Sequence, residues 1–148
     1  MILQVHADGS CHPNPGPGGW GFAVYQDGCE IHSARGQCAT TTTNNRMEMV
    51  AILQALRWLG DRPARVFSDS QYCTNGLNVW SAGWARRGWT RKVKGKGHQA
   101  VVNQDLWMEL LAARRPGHSF HWERGHADSI GNIRADALAE AARKGVPA

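Results

Sequence analysis

The 148-residue chain has no apolar stretch approaching the ~20 residues that a bilayer-spanning helix requires, and no basic N-terminal segment leading into a long apolar one. Neither a transmembrane helix nor a secretory signal is expected, so the reading is of a cytoplasmic protein without a membrane partner. Its four cysteines, Cys11, Cys29, Cys38 and Cys73, show no CxxC spacing, which argues against zinc and for reduced thiols; a Cys29 to Cys38 bridge is the one pairing left open. Internal repeats and linkers are also missing. One domain over residues 1 to 148 is expected, long enough to bury roughly two thirds of the surface its unfolded chain exposes.

Acidic residues are missing from one place in particular. Residues 86 to 96 contain Arg86, Arg87, Arg91, Lys92, Lys94 and Lys96 and no Asp or Glu. The chain's net charge of +5 comes from 17 basic and 12 acidic residues, so outside this segment eleven basic residues stand against twelve acidic ones, a net charge of −1. With Trp80, Trp84 and Trp89 in or beside it, GWARRGWTRKVKGKGH reads as an exposed basic protrusion at about residues 80 to 98. It is either a solvated loop or an element that binds a polyanion through phosphate neutralisation and counterion release.

Apolar alternation predicts strands over residues 2 to 7, 19 to 25 and 29 to 37, with Gln26-Asp27-Gly28 as a hairpin turn. Between the first two, within ADGSCHPNPGPGGWG (residues 7 to 21), the carboxylate Asp8 is followed at once by a glycine- and proline-rich stretch, which is expected to be free of regular structure up to the strand at residue 19. Asn45-x-x-Glu48 resembles a capping box opening a helix to about residue 59, with Met49, Ile52, Leu53, Leu56 and Leu59 as its buried stripe. A strand over residues 64 to 67 stops at Ser68-Asp69-Ser70, and Ser70 caps a helix to about residue 78. After the protrusion come a helix over 104 to 114, a strand over 120 to 123 and a closing helix over 132 to 144. Three antiparallel strands followed by alternating helices and strands make an α/β mixed sheet with helices on its faces, a class that binds ligands at strand ends.

Asp8 and Asp69 both sit where apolar strands stop, Glu48 begins the long helix, and Asp136 borders the apolar stripe of the last one. Singly, each has an ordinary structural explanation: a capping box for Glu48, a helix cap for Asp69, a solvated helix position for Asp136. Together, clustered carboxylates require a cation, and all-oxygen ligation selects Mg2+ or Mn2+. Such ions also bind phosphate oxygens, and in pairs they support in-line phosphoryl displacement. This points to a metal-dependent enzyme acting on nucleic acid.

Seven segments in one order, DGSCHPNPGPGGWG (8 to 21), TTNNRMEM (42 to 49), SDSQY (68 to 72), WARRGW (84 to 89), NQDLW (103 to 107), RGHADSIGN (124 to 132) and RADALA (134 to 139), resemble ribonuclease H of type 1 over nearly the whole chain. The resemblance implies a ribonuclease H-like five-stranded mixed sheet and an endonuclease that hydrolyses the RNA strand of RNA/DNA hybrids, leaving 5′-phosphate and 3′-hydroxyl ends. It implies that Asp8, Glu48, Asp69 and Asp136 hold two Mg2+ ions, or Mn2+, with Asp8 bridging them, and that His126 assists product release or shuttles a proton. Asp128 is the alternative ligand if the closing helix has a different register.

For the substrate, the resemblance implies that Gly9, Ser10 and Cys11 reach the minor groove, where glycine lets backbone approach backbone. Asn14, Asn44, Asn45 and Gln71 would contact 2′-hydroxyls and base edges, and Thr43 a DNA phosphate. Trp80 and Trp84 would pack along the deoxyriboses, Arg86, Arg87, Lys92 and Lys94 would hold further phosphates, and Asn132 completes the set. Trp107 and Trp122 are assigned to the core. Ala85 stands where relatives commonly carry lysine. No obligate protein partner is implied and a monomer is expected. Two rivals remain: a DNA-cutting nuclease of the same fold, against which Asn44-Asn45 and Ser68-Asp69-Ser70-Gln71 speak, and a non-catalytic hybrid-binding module, against which the four carboxylates speak.

Overall fold

The computed structural model describes residues 1–125 and 129–148. Three antiparallel strands come first, β1 (Leu3–Cys11), β2 (Gly16–Gln26) and β3 (Cys29–Thr42). Asp27 and Gly28 turn β2 into β3 with φ of 52° and 82°, the left-handed pair that a two-residue hairpin requires. On the other side of β1, β4 (Ala64–Ser68) runs parallel to it, and β7 (His118–Trp122) runs parallel to β4. The five-stranded mixed sheet has the order β3-β2-β1-β4-β7.

Helix α1 (Asn44–Leu59) covers one face. Thr43, in extended conformation, caps it by accepting the Arg46 N–H on its hydroxyl oxygen at 3.2 Å. The expected stripe of Met49, Ile52, Leu53, Leu56 and Leu59 is buried against Leu3, Val5 and Ala7 of β1, each large side chain contributing about 1.5–3 kcal/mol relative to exposure. The capping box is not there: with Thr43 as cap, Glu48 lies too far into the helix to reach back to it. Helix α5 (Ile130–Lys144) covers the other face, capped by Ser129, whose hydroxyl accepts the Asn132 N–H at 3.2 Å.

The stretch from Asp8 to residue 18, expected to be free of regular structure, is mostly strand. β1 continues through Asp8 to Cys11 and β2 starts at Gly16, so only residues 12–15 form the turn, and Asp8 pairs with Gly21, Ser10 with Gly19. Gly19 and Gly21 of β2 lie directly under a helix. A Cβ at Gly21 would stand 2.5 Å from the Leu138 Cβ and 2.9 Å from the Ala139 nitrogen of α5, and a Cβ at Gly19 would collide with the Arg143 nitrogen and the Ala139 carbonyl. Bare backbone at these positions lets α5 lie directly on β2.

The basic segment is folded as well. Ser70 caps α2 (Gln71–Asn75) as expected, accepting the Cys73 N–H at 3.1 Å. The chain continues through a wider π-type turn, Gly76–Trp80, into α3 (Ser81–Arg86), where a single helix to about residue 78 was expected. The fully buried Trp107 ring of α4 (Gln104–Ala113) packs against Gly76 and leaves no room for a side chain there. Beyond α3, β5 (Thr90–Val93) and β6 (Gly97–Ala100) form a separate two-stranded hairpin.

Gly21→Ala is expected to destabilise the protein by about 1–3 kcal/mol, because the methyl forces α5 off the sheet. Urea unfolding of parent and variant at matched pH measures it; an unchanged midpoint would mean that α5 is not seated on β2 at this glycine.

Candidate active site

Asp8, Glu48 and Asp69 come from three different elements, and one carboxylate oxygen of each lies within 4.8 Å of the others. Asp8 stands within β1, its Oδ1 accepting the Gly9 N–H at 2.8 Å. Glu48 arrives from α1, whose second turn passes over Gly9 so closely that a Cβ there would lie 2.5 Å from the Met47 carbonyl carbon. Asp69 immediately follows β4. The Trp122 indole N–H donates to the Asp69 carbonyl at 3.0 Å, and the Glu123 N–H donates to the Ser68 carbonyl at 2.9 Å. Gly125 lies against the Asp69 side chain, its missing Cβ 2.9 Å from Oδ2.

The cluster is buried, with Asp8 3% and Glu48 9% exposed. Burial, reinforced by the charges of Asp69 and Asp136, raises the Asp8 carboxyl from 3.8 to about 7, although a hydrogen bond from Glu48 works in the opposite direction. Glu48 is held well above the usual carboxylate range by burial and by facing Asp8 and Asp69. Behind them, burial pushes the Cys73 thiol up, so it remains neutral. Glu48 Oε2 is buried and finds no hydrogen-bond partner among the described residues. Converging oxygen donors, mutual repulsion among the carboxylates and an orphaned carboxylate oxygen fit a hard divalent cation, whose preferred ligands are oxygens.

The fourth expected ligand, Asp136, lies on α5, half-buried and outside this group of three, with its charge felt at Asp8. His126 and the alternative ligand Asp128 lie outside the described residues. The Asn14 Oδ1 accepts the Asn44 N–H at 3.2 Å, joining the turn after β1 to the start of α1. Asn44, Asn45 and Gln71 are exposed on the rim of the site. Asn45, Tyr72, Trp80, Trp84, Arg91 and Lys92 line a groove of about 520 Å³ beside it. Arg86 and Arg87 end α3 and Lys92 and Lys94 belong to the β5–β6 hairpin, all four exposed.

Several expectations change. The Cys11 side chain is not a groove reader: it is 6% exposed and its thiol points at the carbonyls of Pro13 and Gly16 at 3.3 and 3.4 Å, tying down the turn. Asn132 is 2% exposed, so it shows no amide to a substrate. The Trp84 ring is 9% exposed and packs edge-on to Trp107 at 5.6 Å; Trp80, 38% exposed, is the ring on display. Trp122, assigned to the core, is 45% exposed beside Asp69. The sequence reading also missed Arg143, whose Nε donates to the Ser10 hydroxyl oxygen at 2.9 Å. Its spacing of seven from Asp136, two helical turns on one face, was the available signal.

Because folding raises the Asp8 carboxyl from 3.8 to about 7, the folded chain holds that proton more tightly than the unfolded one. Metal-free stability therefore falls as pH rises from about 4 to about 7 and stays depressed above that. Glu48→Gln relieves the repulsion, and in chelator it is expected to raise Tm by about 5 °C near pH 8 with a much smaller gain near pH 5. Thermal unfolding by circular dichroism at both pH values checks this; an equal or negative shift near pH 8 would remove the repulsive cluster.

The family model for RNase H matches residues 2–144. A ribonuclease H from Cupriavidus necator is 46% identical over 140 residues, covering 93% of this chain and 92% of its own length. One from a Cyanothece strain is 41% identical over 143 residues, covering 95% and 88%. Among solved structures, LC9-RNase H1, described as a type 1 RNase H with the type 2 active-site motif, superposes with a TM-score of 0.80 at 32% identity over 99% of this chain and 74% of that one. LC11-RNase H1, solved in complex with an RNA/DNA hybrid, shares the fold with a TM-score of 0.74 at 22% identity over 97% of both chains. With nearly its whole length matched, this chain belongs to the RNase H family.

Proposed function

We propose that this protein is an endonuclease that hydrolyses the RNA strand of RNA/DNA hybrids, leaving 5′-phosphate and 3′-hydroxyl ends. The observation that carries the reading is the meeting of Asp8, Glu48 and Asp69 within 4.8 Å in a chain of this family. These three, with Asp136, are the residues we assign to hold Mg2+ or Mn2+, two ions in the full site. Bound there, the ions supply Lewis-acid polarisation of the phosphate and a water activated at neutral pH.

The protein's own groups do the rest. β1 is hydrogen-bonded on both sides, to β2 and β4, so Asp8 is held at a fixed point while the substrate changes. Gly9 and Ser10 lie beside it on the strand that faces the RNA in this reading. Asn14 and Asn44, already joined, meet the neighbouring minor groove with Asn45 and Gln71, where ribose hydroxyls distinguish RNA from DNA. Thr43 offers its hydroxyl hydrogen to a DNA phosphate, its oxygen being engaged with Arg46. Trp80 and the edge of Trp84 line the groove for the deoxyribose side, with Arg91 and Lys92 on its wall. His126 is assigned to proton transfer or product release. No described helix is long and apolar enough to cross a membrane; a cytoplasmic monomer is part of this proposal.

Asp69→Asn should lower the cleavage rate by about a thousandfold or more while leaving the fold intact, since it removes one charged oxygen donor from the site. An end-labelled RNA strand offered as hybrid, single strand and RNA duplex, alongside duplex DNA, with Mg2+ and with chelator, measures it. Cutting confined to the hybrid and abolished by chelator is the expected outcome. Duplex DNA cleavage would move the protein to the DNA-cutting rival, and hybrid binding without cleavage to the binding module.

Replacing Arg86, Arg87, Lys92 and Lys94 together by Gln should weaken hybrid binding and flatten the slope of log K against log salt by about 0.7–0.9 per lost phosphate contact. Fluorescence anisotropy across a salt series reads this, and an unchanged slope would make the hairpin a solvated ornament.

A further inference from the structure

Helix α5 carries Asp136 and Arg143 seven residues apart, two turns along one face, and β1 carries Asp8 and Ser10 two residues apart, on one face of the sheet. The two pairs meet: the Asp136 charge is felt at Asp8, and the Arg143 Nε donates to the Ser10 Oγ at 2.9 Å. What permits this is β2, where the partners of Asp8 and Ser10 are Gly21 and Gly19, the two positions on which α5 rests. Arg143 is held from several sides. Its side chain is 16% exposed, Glu140 Oε1 stands 3.6 Å from its Nη2, and its carbonyl accepts the Gln37 Nε2–H at 3.3 Å.

A guanidinium has donors only, whereas a serine hydroxyl has one hydrogen and two lone pairs. With Arg143 donating to its oxygen, the half-exposed Ser10 hydroxyl keeps its hydrogen free to donate to a ligand. Burial and the Glu140 carboxylate keep the guanidinium from acting as a phosphate ligand itself, so its effect passes through Ser10. We propose that Arg143 is a positioning residue for ribose recognition: its hydrogen bond commits the Ser10 hydroxyl to donate to the 2′-oxygen of a nucleotide in the strand to be cut, next to the scissile phosphate. The inference rests on the hybrid-cleaving function proposed above. A site built to hydrogen-bond a hydroxyl rejects the analogue lacking it far more strongly than one that merely accommodates it.

The test measures kcat and KM on one RNA/DNA hybrid and on a series in which each ribonucleotide around the cleavage site is replaced singly by its 2′-deoxy form. The enzymes are the parent, Arg143→Met, Arg143→Lys, Ser10→Ala and the Arg143→Met/Ser10→Ala double variant. The parent is expected to show a large kcat/KM penalty for 2′-deoxy substitution at one position, and Arg143→Met to shrink that penalty about fivefold at that position alone, as Ser10→Ala does. The double variant should lose no more than Ser10→Ala, and Arg143→Lys, which keeps a charged donor, should recover much of the penalty. Ser10→Ala removes only a half-exposed hydroxyl, so the comparison survives even if Arg143→Met folds poorly. An Arg143→Met enzyme that is slower on every substrate with an unchanged 2′-deoxy profile, additive losses in the double variant, or a profile in Ser10→Ala identical to the parent's each overturn the inference. A parent that cuts no hybrid overturns the functional reading first; a parent that cuts hybrid with Arg143 irrelevant to the profile overturns this inference alone.

Discussion

Glu48 reaches Asp8 only because Gly9 has no side chain. The second turn of α1 crosses β1 at that residue with its backbone almost on the strand, and any Cβ would push the helix, and its carboxylate, outward. Resisting that displacement is the apolar stripe from Met49 to Leu59, seated on Leu3, Val5 and Ala7 of the same strand. The helix is thus driven toward β1 by hydrophobic burial along most of its length and made to carry an unfavourable charge at one end. Two buried carboxyl groups held above their ordinary range are the visible mark of that conflict. A frame less firmly packed would relax by turning Glu48 out into water.

β1 is the middle strand of the five, and its two faces have different tasks. Leu3, Val5, Ala7 and Gly9 serve α1; His6, Asp8 and Ser10 serve α5, with Gly131 of that helix packed on the His6 ring. A slip of one residue would exchange these sets, putting Asp8 into the apolar core and Ala7 into the site. Pairing with β2 on one side and β4 on the other excludes the slip. The His6 Nδ1 lies 2.8 Å from the Glu123 Oε1, linking the strand that bears Asp8 to the segment that follows β7 and packs on Asp69. The separation of Asp8 and Asp69 is therefore fixed by backbone pairing within the sheet and by side chains above it.

What was legible in the sequence was whatever depends on periodicity and on residue type at strand ends. The mixed sheet, the α1 stripe and the placing of Asp69 follow from apolar alternation, helical spacing and the stopping point of β4, whereas Asp8 lies within β1, three residues before its end. The errors share another cause: a local rule was applied where a distant residue decides. Gly16-Pro17-Gly18 satisfies every local criterion for a loop, yet it is strand, continuous with Gly19 and Gly21, on whose bare backbone α5 rests from more than a hundred residues away. Glu48 fits a capping box, yet Thr43 wins the cap because its oxygen reaches the Arg46 N–H. Trp84 and Trp122 exchanged roles for the same reason. Trp84 finds the ring of Trp107 beside it, whereas Trp122 ends an edge strand with its ring exposed and its N–H donated to the Asp69 carbonyl. The Arg143 contact with Ser10 spans 133 residues, beyond any local pattern.

Charge is distributed in a way that separates affinity from chemistry. The carboxylate cluster repels a phosphate backbone, so attraction for a polyanion must come from elsewhere, and the excess positive charge of the chain sits on α3 and the β5–β6 hairpin. Between the two lies the groove bounded by Tyr72, Trp80 and Trp84, on a floor in which Trp107 donates to the Tyr72 hydroxyl at 3.1 Å. That floor ties the basic element to α4, and Arg46 ties α4 to the start of α1 through a bidentate pair with Asp105, with oxygens at 2.9 and 2.7 Å. Arg46 is two residues from Glu48. The distance between the cationic arm and the anionic site is thereby set through packed aromatic rings and one charged clamp, which in the proposed function presents a duplex held by the arm to the carboxylates in one register rather than several.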